Sequence, residues 1–476
     1  MHKLTGSRAP DRESESARGA WEEPAAARQA LASARRIRQA TAGSLFPAEE
    51  AGSPGWLLTL IAVGCAVLAV ARQGSAGLNT IWAEDGQVFY HGALTNPLHT
   101  FVEPWAGYWE AAPRIIAIVV SLFPVNWAAV AIAVADAIVM GLLAALVYRA
   151  CGEHIRNPWL RAIPAIATAA YPVGQETWGA ITNLQWPMYF VAIIVLLWNP
   201  RRLVPIAVGS VMVVLLTLTS PFGLLLVPIA VVRLAALGGD RGSVIPLATL
   251  AGVALQTTYM AIVGGRQTYS AIHLGMIEKF YEERVAGQGF FGIRYVLPWR
   301  PLGGAVMIAA LAALVLVAAS GRPRQFALAA LALVYSVGYF TVLIILSGLV
   351  NQGSDRYNVG SFLLLAYAVT VLLDSVLRGG AALWTSRIRT AAQRRLAGVP
   401  RFAALLVCAA LAGCLAWSVT TSWNVTHRDR EHPTWSGALA SARAECSHGA
   451  RTAWIPITPS GALRWHVTLT CSELGN

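Results

Sequence analysis

Apolar stretches long enough to cross a bilayer recur between residues 55 and 421, and short polar segments separate them. This pattern predicts an all-α polytopic membrane protein. About eleven transmembrane helices are expected, near 55–73, 126–149, 160–172, 187–199, 203–220, 221–238, 244–263, 301–319, 325–349, 359–377 and 402–421. The runs 160–172 and 187–199 are short for a full span and are expected to extend into their flanking loops. Residues 114–124 are apolar but short and bounded by proline, which suits an interfacial or re-entrant helix. The first 50 residues are polar and rich in Ala, Arg and Glu, with no cleavable signal peptide expected. They read as a disordered or partly helical cytoplasmic tail (1–50). Within it, Ala25 to Arg38 can form a helix that brings Arg28, Arg35, Arg36 and Arg38 to anionic lipid, or can stay disordered.

Composition sharpens the membrane reading. Of 476 residues, 56% are hydrophobic and only 13% charged, against about 25% charged in soluble domains. The net charge of +12 excludes little by itself, but its distribution argues against nucleic acid. Arginines sit in short segments between apolar runs, as they do in cytoplasmic loops, instead of along one continuous basic face. With the N-terminus inside, one side receives Arg149, Arg156, Arg161, Arg201, Arg202, Arg241, Arg322 and Arg324. It also receives a segment, 378–401, with six Arg and no Asp or Glu. The opposite, extracytoplasmic side of a plasma (inner) membrane then holds the long segments 74–125 and 264–300 and the tail 422–476. It also holds nearly all the loop acids. The expected organisation is a transmembrane domain over 51–421 followed by that outer tail.

Only Asp136 and Asp374 lie within apolar runs. Asp374 is near the inner end and can snorkel. Asp136 is deeper, either functional or paired within the bundle. Of six cysteines, Cys65, Cys408 and Cys414 fall in apolar helices, and Cys151 in an inner loop. Cys446 and Cys471 share the outer tail, where an oxidising compartment favours a disulfide between them. Metal binding by these two with His448 and His466 lacks the usual close paired spacing, so no metal site is assigned. The stretches 452–458 and 465–471 read as two short strands, a small β-element.

Candidate chemistry gathers in the outer segments. Trp82-Ala83-Glu84-Asp85 directly follows the first helix; carboxylates buried beside aromatic rings gain the raised pKa a general base needs, unless the aromatics form an interfacial belt and the acids are solvated. Glu103 to Glu110 interleaves Trp105, Tyr108 and Trp109 with acids ahead of Pro113-Arg114, which suits a sugar or an interfacial anchor equally. The loop 171–186 carries Glu176, Asn183 and Gln185, which need partners next to a membrane, either each other or a polar ligand. Lys279 is one of only two lysines. With Arg266, Arg284 and Arg294 it offers positive charge to a phosphate, unless Glu278, Glu282 and Glu283 neutralise it. Asp355-Arg356-Tyr357 stands at a helix entrance, where an Arg suits a lipid-linked phosphate or pairs with Asp355. No phosphate-binding glycine loop, zinc-protease helix, nucleophile elbow or dinucleotide fingerprint occurs.

Taken together, the acidic pair Glu84-Asp85 after the first helix, the interfacial segment at Pro113-Arg114, the polar loop 171–186 and the Asp355-Arg356-Tyr357 loop resemble the GT-C superfamily of membrane glycosyltransferases, over about residues 55–421. That resemblance implies transfer of a sugar from a polyprenyl-phosphate donor to a glycan, lipid or protein acceptor on the outer face. It places the general base at Asp85, with Glu84 as runner-up. It puts the carrier phosphate at Arg356, with Tyr357, Arg114, Glu176, Gln185 and Lys279 as further substrate contacts. It implies no certain cofactor beyond the lipid-linked donor and leaves a divalent metal open. Rival readings are a transporter or flippase of lipid-linked glycans, which should carry more ionisable groups within its helices, and a non-catalytic envelope-assembly protein.

Overall fold

The structure is a computed structural model. It describes residues 25–49, 52–239, 241–264, 274–293, 298–319, 322–347, 355–385, 410, 413–423, 433–459 and 465–475. The expectations for 1–24, Arg266, Arg294, Cys408 and most of the arginine-rich segment 378–401 fall outside those residues.

Twelve helices of ten residues or more organise the described residues of the first part of the chain: α1 (Ala25–Leu45), α2 (Gly55–Leu78), α3 (Ala111–Val120), α4 (Ala128–Ala150), α5 (Pro158–Ala170) and α6 (Gln185–Leu197), then α7 (Leu203–Thr219), α8 (Val227–Leu237), α9 (Val244–Val263), α10 (Trp299–Ala319), α11 (Pro323–Ser347) and α12 (Asn358–Thr385). Every apolar run on described residues carries a helix, yet the lengths differ from a row of equal spans. Six helices (α2, α4 and α9 to α12) are long and apolar enough to cross a membrane. The last expected run, 402–421, is described as helical only at 410 and 413–421. The runs 203–220 and 221–238 form α7 and the 11-residue α8, separated by a tight helical turn at Pro221–Leu226.

The two 13-residue helices α5 and α6 decide where the site lies. At 1.5 Å per residue each rises about 20 Å, short of a hydrocarbon core of about 30 Å. They do not lengthen into the loop. Instead, residues 171–184 form a buried connection with only two short helical turns, Gln175–Thr177 and Ile181–Leu184. Such backbone survives at that depth only where protein satisfies its polar groups.

Arginines fasten the end where α4 stops and α5 starts, here called the arginine end. Arg324 donates to the Glu153 carbonyl, Arg322 to the Ser375 carbonyl, and Arg149 pairs with Glu49 at 3.2 Å. Asp374 does not snorkel, as the sequence suggested. It is fully buried, receives the backbone N–H groups of Arg156 and Asn157 at 3.2 Å each, and pairs with Arg378 at 2.5 Å. The bare amides entering α5 require that carboxylate.

The C-terminal residues build a small α/β element on the opposite, acidic end. It comprises α13 (Trp435–Ser447) and the antiparallel pair β1 (Thr452–Pro456) and β2 (His466–Thr470), with Trp454 opposite Thr468. Alternation buries Ala453, Ile455, Val467 and Leu469 on one face. Cys446 is disulfide-bonded to Cys471, which ties α13 to the end of β2.

Candidate active site

The site is assembled around the buried loop between α5 and α6. Asp85 is 0% exposed; its Oδ2 receives the N–H of Ile181 at 3.0 Å and its Oδ1 that of Thr182 at 2.9 Å. Asp136, within α4, receives the N–H of Gly179 at 3.0 Å. Arg72 donates to the Tyr171 carbonyl at 2.9 Å and lies 3.6 Å above the Trp178 ring. Three charged side chains from α2, α4 and the segment after α2 thus satisfy backbone groups that the loop's two short helical turns leave open. Gly174, at φ 75°, lets that loop approach residues 355–359, where an added Cβ would collide with Val359.

Carboxylates converge on the other face of this loop. Glu176 accepts the backbone N–H of Arg356 at 3.2 Å and faces its guanidinium at 3.8 Å. Both residues are partly buried, and the Arg356 Nε is enclosed without a hydrogen-bond partner. Glu84 lies close enough to feel both: burial raises its carboxyl above the ordinary range and Glu176 adds to this, while its own backbone and Arg356 oppose it. Its Oε2 is buried without a partner. Glu110, 1% exposed at the start of α3, is pushed up to about 8 from 4.5, first by burial, with the charges of Glu84 and Asp85 reinforcing it against Tyr108 and Arg114. The Tyr108 hydroxyl is within hydrogen-bonding reach of both Glu110 and Gln185, and Thr182 reaches Glu110 at 3.5 Å. The Gln185 Oε1 is a second buried acceptor without a partner.

The expected residues divide on this geometry. Glu84, Glu176, Gln185 and Arg356 come together. Tyr357 sits beside them, its ring 5.2 Å from Trp186. Asp85 is adjacent, but both its oxygens are taken up by the loop. Arg114 is fully buried behind the cluster, donating to the carbonyl and hydroxyl of Thr100 and lying 5.2 Å from the Phe89 ring, so it braces the wall. Lys279 does not join: it is exposed on a separate helical segment, and no described hydrogen bond or ion pair links it to the cluster. On that segment Glu282 pairs with Arg300 at 3.2 Å. Sequence reasoning passed over Glu110 and Tyr108 as a sugar-or-anchor ambiguity. The one signal was a carboxylate opening an apolar helix, where nothing polar is needed for insertion.

A groove of about 760 Å³ runs along α3, α4, α6 and α7. Leu143, Leu146, Val208 and Met212 line its length, Arg149 and Trp198 mark the arginine end, and Ala112 and Leu184 stand at the other, beside Glu110 and Thr182 in sequence.

No family model matches the chain, and no curated protein matches it. Among solved structures it is similar to an Archaeoglobus fulgidus oligosaccharyltransferase tethered to an acceptor peptide, at 14% identity and a TM-score of 0.40 over 86% of this chain and 58% of that one. It is similar to the apo form of that oligosaccharyltransferase at 12% identity and a TM-score of 0.42, over 83% and 59%. The A. fulgidus oligosaccharyltransferase AglB with an inhibitory peptide and a dolichol-phosphate gives 12% identity and a TM-score of 0.39, over 82% and 58%. The chain therefore spans less than two thirds of these proteins' length, and similarity at this level assigns no chemistry.

Proposed function

We propose that this chain is a membrane glycosyltransferase that moves a sugar from a polyprenyl-phosphate donor to an acceptor hydroxyl at the acidic end, on the extracytoplasmic face. The observation that carries the reading is the convergence of Glu84, Glu110, Glu176 and Arg356 from four separate segments. A scaffold has no use for so costly a gathering of carboxylates.

The division of labour follows from the hydrogen bonds. Glu84 is the general base: it has a free acceptor oxygen and a raised pKa, whereas Asp85 is committed to two amides that favour its charged form. The acceptor oxygen attacks the anomeric carbon and passes its proton to Glu84. The bond from that carbon to the phosphate oxygen breaks, and the lipid phosphate leaves as an anion. Arg356, held in place by Glu176, faces that anion with a donor to spare. Direct attack inverts the anomeric centre. The groove below Ala112 and Leu184 suits the donor's hydrocarbon tail, because a chain descending there leaves its phosphate beside the cluster.

The test is transfer from a radiolabelled polyprenyl-phosphate sugar in membranes. Glu84→Gln keeps the shape and removes the proton acceptor, with an expected rate loss on the order of 10²–10⁴. Parental transfer by the double variant Glu84→Gln/Glu110→Gln would remove the enzyme reading and favour a carrier of lipid-linked glycans.

A further inference from the structure

The C-terminal element is not a bystander on the acidic end. Thr458 pairs with the segment after α2 through Thr458 N–H to the Ile81 carbonyl at 3.1 Å and Ala83 N–H to the Thr458 carbonyl at 2.5 Å. Trp435 donates its backbone N–H to Asn79 at 2.7 Å and its indole N–H to the Val125 carbonyl at 2.8 Å. These bonds fix the element against the residues that immediately precede Glu84.

They also deliver Trp465. This ring packs on Trp82, Ala83 and Ala180, and stands edge-on to Trp105 with centroids 6.5 Å apart. Trp105 and Tyr108 exchange both backbone hydrogen bonds at 3.1 Å, and the Tyr108 hydroxyl reaches Glu110 and Gln185. Three indoles from distant parts of the chain therefore border the carboxylate cluster, and the last belongs to the C-terminal element.

We infer that Trp465 and Trp105, the former backed by the buried Trp82, form a stacking wall for a saccharide acceptor, so that the C-terminal element completes the acceptor side of the site. This rests on the reading that the cluster is a site of glycosyl transfer. A sugar ring presents an apolar C–H face and a dense set of hydroxyl donors. The wall supplies flat apolar rings, and the neighbouring buried acceptors Glu84 Oε2 and Gln185 Oε1, together with the buried donors Arg114 Nη2 and Asn358 Nδ2, are left without partners. Sugar hydroxyls both donate and accept, so a polyol completes buried groups of either kind. Arg356 Nε is a further donor, one that suits the leaving phosphate.

The experiment uses the full chain in lipid nanodiscs and follows tryptophan fluorescence during titration with a panel of pentose and hexose tri- to hexasaccharides. At least one should bind saturably. Trp465→Ala and Trp105→Ala, approaching the wall from different segments, should each weaken it by about tenfold or more, while Trp465→Phe retains most of the affinity. Trp454→Ala, on the exposed outer face of the hairpin, should bind as the parent does. Hydrolysis of the polyprenyl-phosphate sugar, with water as acceptor, should be lost in Glu84→Gln and unchanged in Trp454→Ala. Parental saccharide affinity in both wall variants, no binding by any panel member, or Trp465-dependent binding of peptides in their place would overturn the inference. Absence of hydrolysis in the parent would instead count against the transferase reading.

Discussion

Asp85 holds the backbone N–H of Thr182 at 2.9 Å, with its other oxygen on Ile181. Its neighbour Glu84 holds no partner on its buried Oε2. Adjacent carboxylates thus differ in their partners, one bound to the loop and one with an open buried oxygen, as the proposed division of roles requires. Asp85→Asn replaces one acceptor by an amide donor facing a backbone N–H. The expected cost is about 1–3 kcal/mol of stability, read as a fall in the thermal midpoint. Glu84→Gln should leave that midpoint near the parent's. Equal midpoints for both variants would contradict the division of roles.

Glu110 should make stability depend on pH. Burial raises its pKa from 4.5 to about 8. Between these values the unfolded chain has released the proton and the folded protein keeps it, so the unfolded state binds fewer protons and stability falls as pH rises. The contribution is present below about pH 4.5 and gone above about pH 8. Glu110→Gln should flatten the thermal midpoint across this window. An unchanged slope would show that Glu110 titrates as an ordinary carboxylate.

Arg356 and Glu176 should behave as a unit. Arg356→Ala removes the charge-assisted contact and should weaken binding of the lipid-phosphate donor by about 1.5–3 kcal/mol. Glu176→Gln leaves the charge but loosens its placement, so its loss should be smaller and the double variant less than additive. Donor affinity measured through a double-mutant cycle decides this; strict additivity would mean that the 3.8 Å pair does not position the arginine.

The Cys446–Cys471 bond closes a loop with a sequence separation of 25. Replacing both by serine should destabilise the C-terminal element by roughly 2–4 kcal/mol. Limited proteolysis should then cut within 433–475 at protease levels the parent survives. Equal resistance would show that the packing of Trp435, Ala453 and Ile455 suffices alone.

Much of this was legible in the residues. The run lengths marked ten of the helices, because an apolar stretch in lipid has one way to satisfy its backbone. The gathering of arginines and acids at opposite ends follows from the same local cost of burying charge. The strands at 452–456 and 466–470 fall within the stretches 452–458 and 465–471 whose residues read as strands, a local signal too. Glu84, Glu176, Gln185 and Arg356 stood out as polar groups in places where a scaffold needs none.

What one line of residues does not carry is which polar group meets which. Neither the length nor the composition of 171–184 says that it folds back into the bundle, or that Asp85, Asp136 and Arg72 satisfy it from other segments. Glu84 and Asp85 are chemically near-equivalent neighbours in sequence, and only the amides of Ile181 and Thr182, some ninety-six positions away, separate a structural carboxylate from an available one. Trp465 joins Trp82 and Trp105 for the same reason. Burial and secondary structure follow from short-range cost, whereas hydrogen-bond partnership and proton affinity depend on groups distant in sequence, which only the folded chain brings within reach.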